Sequence, residues 1–273
     1  MRAYSFLFVA ILLLTSCRSE ELIRPGDTLE VAFEKAMMQY NEEKYNDAAN
    51  AFETVISIGR GTDYGQEAQY YLAESYFNAK RYLLAASEYE RYAQYHPNSP
   101  RREEVDFKEA LCYYEISPRY RLDQTYTNRA VEKFRLYRTR YPNTERAELA
   151  AEYISELRNK LARRDYNAAD FYMRTERYNS AAIYFDLVIE NYPESEPWAE
   201  SALVTQIEAY VLYAENSVQD RQAERFEKAL ESYNTYLQLF PQGENRSKAE
   251  DLFDRAMAGL GEIDDQSVVQ SSN

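Results

Sequence analysis

One spacing constrains this chain more than anything else in it. Four segments align without gaps: Tyr82-x2-Ala85-x3-Tyr89-x7-Pro97, Thr127-x2-Ala130-x3-Phe134-x7-Pro142, Tyr178-x2-Ala181-x3-Phe185-x7-Pro193 and Phe226-x2-Ala229-x3-Tyr233-x7-Pro241. A fifth, Tyr45-x2-Ala48-x3-Phe52, ends at Gly59-Arg60-Gly61 in place of a proline. An alanine and an aromatic four residues on share one helical face, one turn apart. The alanine lets a neighbouring helix come close and the aromatic fills the space beside it. Proline then ends the helix, because it has no N–H for the preceding turn.

A partner helix precedes each segment. Ala73 with Tyr76, and Ala169 with Tyr172, stand twelve residues ahead of Ala85 and Ala181. Ala36 leads the first pair, while Ala110 and Ala209 are each twenty residues ahead, eight more than the standard spacing. The excess falls around Ser117–Arg121 in repeat 3, which predicts a long loop, and around Ser217–Asp220 in repeat 5. Small, aromatic and proline residues at these offsets resemble the tetratricopeptide (TPR) repeat. The expected fold is all-α: a right-handed superhelix of about five TPR helix pairs with a C-terminal capping helix.

The low count of breakers agrees: 7 Gly and 8 Pro leave few places to interrupt a helix. No Gly or Pro lies between Pro142 and Pro193, so one long helix is expected from about Thr144 to Glu176. Asp27-Thr28-Leu29-Glu30 and Ser99-Pro100 read as helix starts, and a last helix is expected over about Ser247–Leu260. The expected organisation is a signal peptide over 1–16, a lipidated tether over 17–26, and repeats 1–3 over 27–142. The long helix, repeats 4–5 and the capping helix follow over 143–262, then a flexible tail over 263–273.

The N-terminus reads as an address. Arg2 precedes the apolar run Phe6–Leu14, which is too short to span a bilayer, and the run ends in Leu14-Thr15-Ser16-Cys17. That ending resembles a bacterial lipobox, in which Cys17 becomes the first mature residue and carries a diacylglycerol and an N-acyl chain. Such chains hold a protein to a membrane at about 0.8 kcal/mol per buried CH₂. Arg18 follows Cys17, which favours the outer membrane, facing the periplasm, although Ser19-Glu20-Glu21 leaves the surface leaflet open.

A lipobox followed by five helix pairs with Tyr/Phe-Pro ends resembles the BamD (YfiO) family of outer-membrane assembly lipoproteins. The resemblance implies docking on the barrel-forming assembly protein, alongside other assembly lipoproteins. It also implies recognition of unfolded outer-membrane clients, whose C-terminal segments end in an aromatic residue. Two other readings share the architecture: a periplasmic TPR scaffold for envelope constriction or peptidoglycan synthesis, and a glycan-uptake binding lipoprotein.

A binding surface follows from the helices. In such repeats the residues three before, one after and four after the small position of the first helix face the groove. These are Phe33, Met37 and Tyr40 in repeat 1, Tyr70, Glu74 and Phe77 in repeat 2, and Phe107, Leu111 and Tyr114 in repeat 3. An aromatic at the first and last place of each set predicts an apolar trough for an extended peptide. The same positions later are Tyr166, Asp170 and Met173, then Gln206, Tyr210 and Tyr213, a more mixed face.

Composition excludes other classes. A formal net charge of −14, from 32 basic and 46 acidic residues, leaves no basic stripe for nucleic acid. One histidine, His96, and one thiol beyond the lipobox, Cys112, cannot make a zinc site, so no metal or catalytic residue is assigned. Glu42-Glu43 and Asp264-Asp265 read as solvated carboxylates in turn or tail positions rather than acid/base pairs. The chain reads as a protein-binding scaffold without a cofactor, not an enzyme.

Overall fold

The computed structural model describes residues 22–271, with side chains through residue 263. The expected signal peptide and Cys17 lie outside the described residues. Every regular element among the described residues is a helix. In order these are α1 (Leu29–Asn41), α2 (Tyr45–Ile58), α3 (Asp63–Asn78), α4 (Tyr82–Tyr95), α5 (Arg102–Glu115) and α6 (Thr125–Arg140). Then come α7 (Glu145–Arg174), α8 (Tyr178–Asn191), α9 (Glu196–Glu215), α10 (Gln219–Leu239) and α11 (Arg246–Ser271). The chain forms two compact units, Met1–Cys112 and Tyr113–Asn273, divided within α5 and so ahead of Pro142, where the sequence suggests a break.

The repeated alanines do what their spacing requires. Ala36, Ala73, Ala110, Ala169 and Ala209 on the first helices are fully buried. So are Ala48, Ala85, Ala130, Ala181 and Ala229 on the second helices. Beside the latter, Phe52, Tyr89, Phe134 and Phe185 have no exposed surface. In the first unit α1 packs on α2 and α3, and α3 on α4. In the second, α7 packs on α6, α8 and α9, and α9 on α8, α10 and α11. Contact between first helices of successive pairs, as α1–α3 and α7–α9, is what stacked hairpins produce.

Helix ends follow the breakers closely. His96, Tyr141, Tyr192 and Phe240 cap α4, α6, α8 and α10 with nearly one geometry: φ −125°, −128°, −134° and −129°, with ψ 59°, 60°, 50° and 59°. Each precedes a proline, whose ring pushes the residue before it out of the helical region. The hairpin turns of repeats 1, 2 and 4 share another device. Glu43, Lys80 and Glu176 take left-handed φ of 60°, 59° and 59°. The following N–H groups of Lys44, Arg81 and Arg177 return to Gln39, Tyr76 and Tyr172, the pattern of a Schellman cap.

The two insertions differ. In repeat 3 the excess is a loop between α5 and α6. Gln124, 3% exposed, pins it by donating to the carbonyls of Arg119 (2.9 Å) and Leu122 (2.8 Å) and accepting from Thr127 (2.7 Å). Lys160 of α7 reaches the same network through Ser117 at 3.0 Å. In repeat 5 the excess is helical: α10 begins at Gln219, two turns ahead of Phe226. The long helix is α7, 30 residues, with Thr144 as its cap accepting from Ala147 N–H at 3.2 Å. The last helix runs to Ser271, beyond the Leu260 end and into the stretch read as a flexible tail. It buries Ala249, Leu252 and Ala256 against Leu203, Ile207, Val211 and Phe226.

Tyrosine fills much of this core. Burial, then the hydrogen bond to Glu53, pushes Tyr76 up to about 12, and burial, then Asp165, does the same for Tyr192. A folded value above the ordinary 10.0 means the neutral phenol is favoured by the fold. That contribution is whole below pH 10 and is lost as pH rises through about 12. Alkaline titration followed by circular dichroism and tyrosinate absorbance should therefore show helix loss between pH 10 and about 12, in step with the late-titrating tyrosines. Tyr192→Phe should flatten that dependence. Complete tyrosine titration near pH 10 with the helices intact would contradict it.

Candidate functional site: the groove face of the first helices

The nine groove positions do not share one environment. Tyr70 (5% exposed), Glu74 (7%) and Phe107 (6%) are buried, whereas Phe33, Met37, Tyr40, Phe77, Leu111 and Tyr114 are half-buried. The open apolar trough expected from the sequence is thus filled at three places by its own side chains.

In the first unit the rings close on one another. Phe33 lies 5.4 Å from Tyr64 and 6.0 Å from Phe52, and Tyr40 lies 5.3 Å from Tyr71 and 5.6 Å from Tyr45. The hub is Tyr71, stacked on Phe52 at 5.7 Å and edge-on to Tyr70 at 5.3 Å. It is one helical position from Tyr70, and it is the member of the pair whose ring meets Phe33 and Tyr40 of α1. Phe77 packs on Tyr82 at 5.3 Å, and the Tyr40 hydroxyl accepts from Asn78 at 3.0 Å. Burial, with repulsion from Glu74 second, raises Tyr40 to about 12, so the phenol stays neutral at ordinary pH.

Between α3 and α5 the face is charged, not apolar. The Glu74 carboxylate accepts from Lys108 Nζ at 2.6 and 2.7 Å and from the Tyr89 hydroxyl. Lys108 also pairs with Glu104 at 3.3 Å, and Glu104 accepts from Tyr70 at 3.0 Å. Arg101 closes the row, 2.8 Å from Glu67 and 4.2 Å above the Tyr70 ring. Sequence reasoning missed Arg101, Glu104 and Lys108. The i,i+4 spacing of Glu104 and Lys108 was visible, but their reach across to α3 was not.

The second unit is organised differently. Tyr114 packs 4.3 Å from Tyr153 and donates to Glu156 at 2.6 Å. Tyr166 sits between Phe185 (5.3 Å) and Trp198 (5.4 Å), Asp170 pairs with Arg174 at 3.0 Å, and Met173 joins the α7–α9 core. Gln206, 5% exposed, donates to the Ala182 carbonyl at 3.1 Å, Tyr210 is half-buried, and Arg225 covers Tyr213 at 3.7 Å. Of the six positions in repeats 4 and 5, Gln206 is buried and the other five are half-buried. The stretch Tyr120, Arg163 and Trp198 brings the repeat-3 loop over α7, with Arg163 4.3 Å above Tyr120 and 5.7 Å from Trp198.

Two features of the sequence fall elsewhere. His96 contacts Gln69 at 3.2 Å, and burial lowers its pKa; Cys112 is fully buried. No group of three potential metal ligands, and no helix long and apolar enough to cross a membrane, occurs among the described residues.

Alanine-seated hairpins with proline-terminated second helices define a TPR-type repeat scaffold. Residues 25–226 match the family model YfiO, described as an outer membrane lipoprotein, and the chain belongs to that family of non-enzymatic scaffolds. Among curated relatives, the outer membrane protein assembly factor BamD of Rickettsia prowazekii is 26% identical over 212 residues, covering 76% of this chain and 83% of its own. The protein of the same name from Vibrio cholerae is 25% identical over 213 residues, covering 74% and 88%. A BamD-type relative from Aquifex aeolicus is 27% identical over 195 residues, 71% of this chain but 64% of its own length, so the match spans less than two thirds of that protein.

Removing Lys108 would leave the Glu74 carboxylate buried with one partner fewer. Lys108→Ala should cost about 2 kcal/mol in urea unfolding, less than a fully dry pair because Lys108 keeps contact with water. Glu74→Gln in the same chain should recover most of that loss. Equal stability of Lys108→Ala and the natural protein would show that the row is ornamental.

Proposed function

We propose that this protein is a lipid-anchored scaffold of outer-membrane β-barrel assembly. The carrying observation is the YfiO match over residues 25–226, joined by relatives named as assembly factors. In this reading Cys17 carries the diacylglycerol and N-acyl chain that hold the chain to the outer membrane, with the helices in the periplasm. The second unit docks the barrel-forming assembly protein, and the first unit receives client C-terminal segments.

The groove face suits that second task in a specific way. Half-buried Phe33, Met37, Tyr40, Phe77 and Leu111 present ring and thioether edges, and buried Tyr70, Glu74 and Phe107 hold the α3–α5 wall behind them. An extended strand places alternate side chains on one face, so an aromatic terminus can lie on Tyr40 and Phe77 while its backbone meets Asn78. The row Arg101, Glu104 and Lys108 supplies charges of both signs for a client's polar side chains.

Affinity purification of the native lipoprotein from solubilised outer membranes should recover a protein with repeated periplasmic domains and a C-terminal barrel. Recovery of a glycan-uptake transporter in its place would sink the reading. Tyr40→Ala and Phe77→Ala should each weaken binding of a client C-terminal peptide about tenfold, as truncating an interface aromatic does, with helicity by circular dichroism retained. Unchanged peptide affinity in both variants would remove the groove from the proposal.

A further inference from the structure

The solvent face of α8 departs from the pattern of the repeat. Aligned on the shared alanine, the places two, three and six residues later are Asn50, Ala51 and Thr54 in α2, and Ser87, Glu88 and Arg91 in α4. They are Glu132, Lys133 and Leu136 in α6, and Glu231, Ser232 and Thr235 in α10. Among the second helices α8 alone fills all three with large apolar side chains: Ile183, Tyr184 and Leu187, which are 53%, 41% and 44% exposed. Tyr172 stacks on Tyr184 at 4.6 Å and lies 5.9 Å from Phe171, itself 55% exposed, so the apolar surface continues onto α7. Together these side chains present roughly 400 Å² to water, a size at which surface patches are often functional.

The same face carries its own complement. Arg177 caps α8 at its start, and Ser180, Ile183, Leu187 and Glu190 follow at three- and four-residue steps, one row along the helix. The row is cationic where it begins, apolar in its middle and anionic where it ends, and Arg177 and Glu190 are both exposed. Two such rows laid antiparallel set Ile183 of each against Leu187 of the other and bring each Arg177 toward the opposite Glu190. Laid parallel, they would set like charges together. The other charges nearby stand off the row: Asp186 accepts from Gln206 at 3.2 Å, and Arg174 pairs with Asp170 at 3.0 Å.

We propose that the outer face of α8 joins two copies of this chain about a twofold axis, with the two α8 helices antiparallel. A twofold contact uses the same patch on both partners, so a face with opposite charges at its two ends is matched by itself. The apolar surface from both copies stays under the roughly 1,200 Å² at which stable complexes begin, which makes this a weak, reversible dimer. It needs no assembly partner, so its failure and the failure of the docking reading are separate results.

The test is sedimentation equilibrium of the full lipoprotein in density-matched detergent, with micelles in excess, from micromolar to near-millimolar protein. A reversible monomer–dimer equilibrium is expected. Ile183→Asn and Leu187→Thr install the residues that α2 carries at the same places, on exposed sites where the fold is not at stake. Each should weaken the dimer about tenfold or more, because in a twofold contact every change counts twice. Arg177→Glu or Glu190→Arg alone should weaken it severalfold, and the two together should restore it, since the antiparallel pairing simply exchanges them. A chain that stays monomeric throughout, a dimer indifferent to Ile183 and Leu187, or single charge variants that the double variant does not rescue each overturn the proposal. A monomeric chain whose Ile183→Asn variant loses the barrel-forming protein in affinity purification would give the face to that partner instead, which also overturns it.

Discussion

The molecule depends on how close two helices can come at an alanine. Ten alanines, one on each helix of five hairpins, have no exposed surface, and each marks a crossing where a larger side chain would force the axes apart. Close crossing brings the facing aromatics into contact with the partner backbone, so Phe52, Tyr89, Phe134 and Phe185 bury completely. Proline then ends four of the five second helices at the same phase, and their near-identical cap geometries repeat the same exit. Stacking of hairpins within each unit is the consequence.

The second organising principle is tyrosine used where phenylalanine would suffice for packing. A buried phenol must place its hydroxyl, and here six tyrosines do so on carboxylates, while Tyr92 and Tyr137 use Ser99 and Thr144. Tyr70 donates to Glu104, Tyr76 to Glu53, Tyr89 to Glu74, Tyr114 to Glu156, Tyr192 to Asp165 and Tyr236 to Glu200. Of these acids Glu74 and Glu200 are themselves buried. Acids drawn in to receive phenols then recruit cations, as Glu74 and Glu104 recruit Lys108. The groove face acquires its charge in this way, which is why it is not the apolar trough that aromatic spacing suggests.

The repeats differ in how their two helices are joined. Repeats of standard length turn through a left-handed residue, Glu43, Lys80 or Glu176, and are short and stiff. Repeat 3 has a pinned loop and repeat 5 a helix extended by two turns, so the second unit presents surfaces the first lacks. Exposed Phe171, Ile183, Tyr184 and Leu187, with Tyr172 stacked on Tyr184 at 4.6 Å, belong to α7 and α8 of that unit.

Helix pairs, their number, their alanine crossings and their proline ends were all legible in the amino-acid order. Each rests on contacts one turn apart or on a backbone restriction that acts on the next residue, and such effects are local by nature. The left-handed turns were not legible, since Glu and Lys carry no mark of the glycine usually found there. Nor were the exposure of Tyr70, Glu74 and Phe107, or the partners of the buried phenols. Those pairings join residues 7 to 42 positions apart, as Tyr92 with Ser99 and Tyr114 with Glu156. Which side chain reaches which carboxylate is settled only when hairpins stack, because a hydrogen bond needs its atoms within about 3 Å and no spacing rule along one helix brings two helices to that distance.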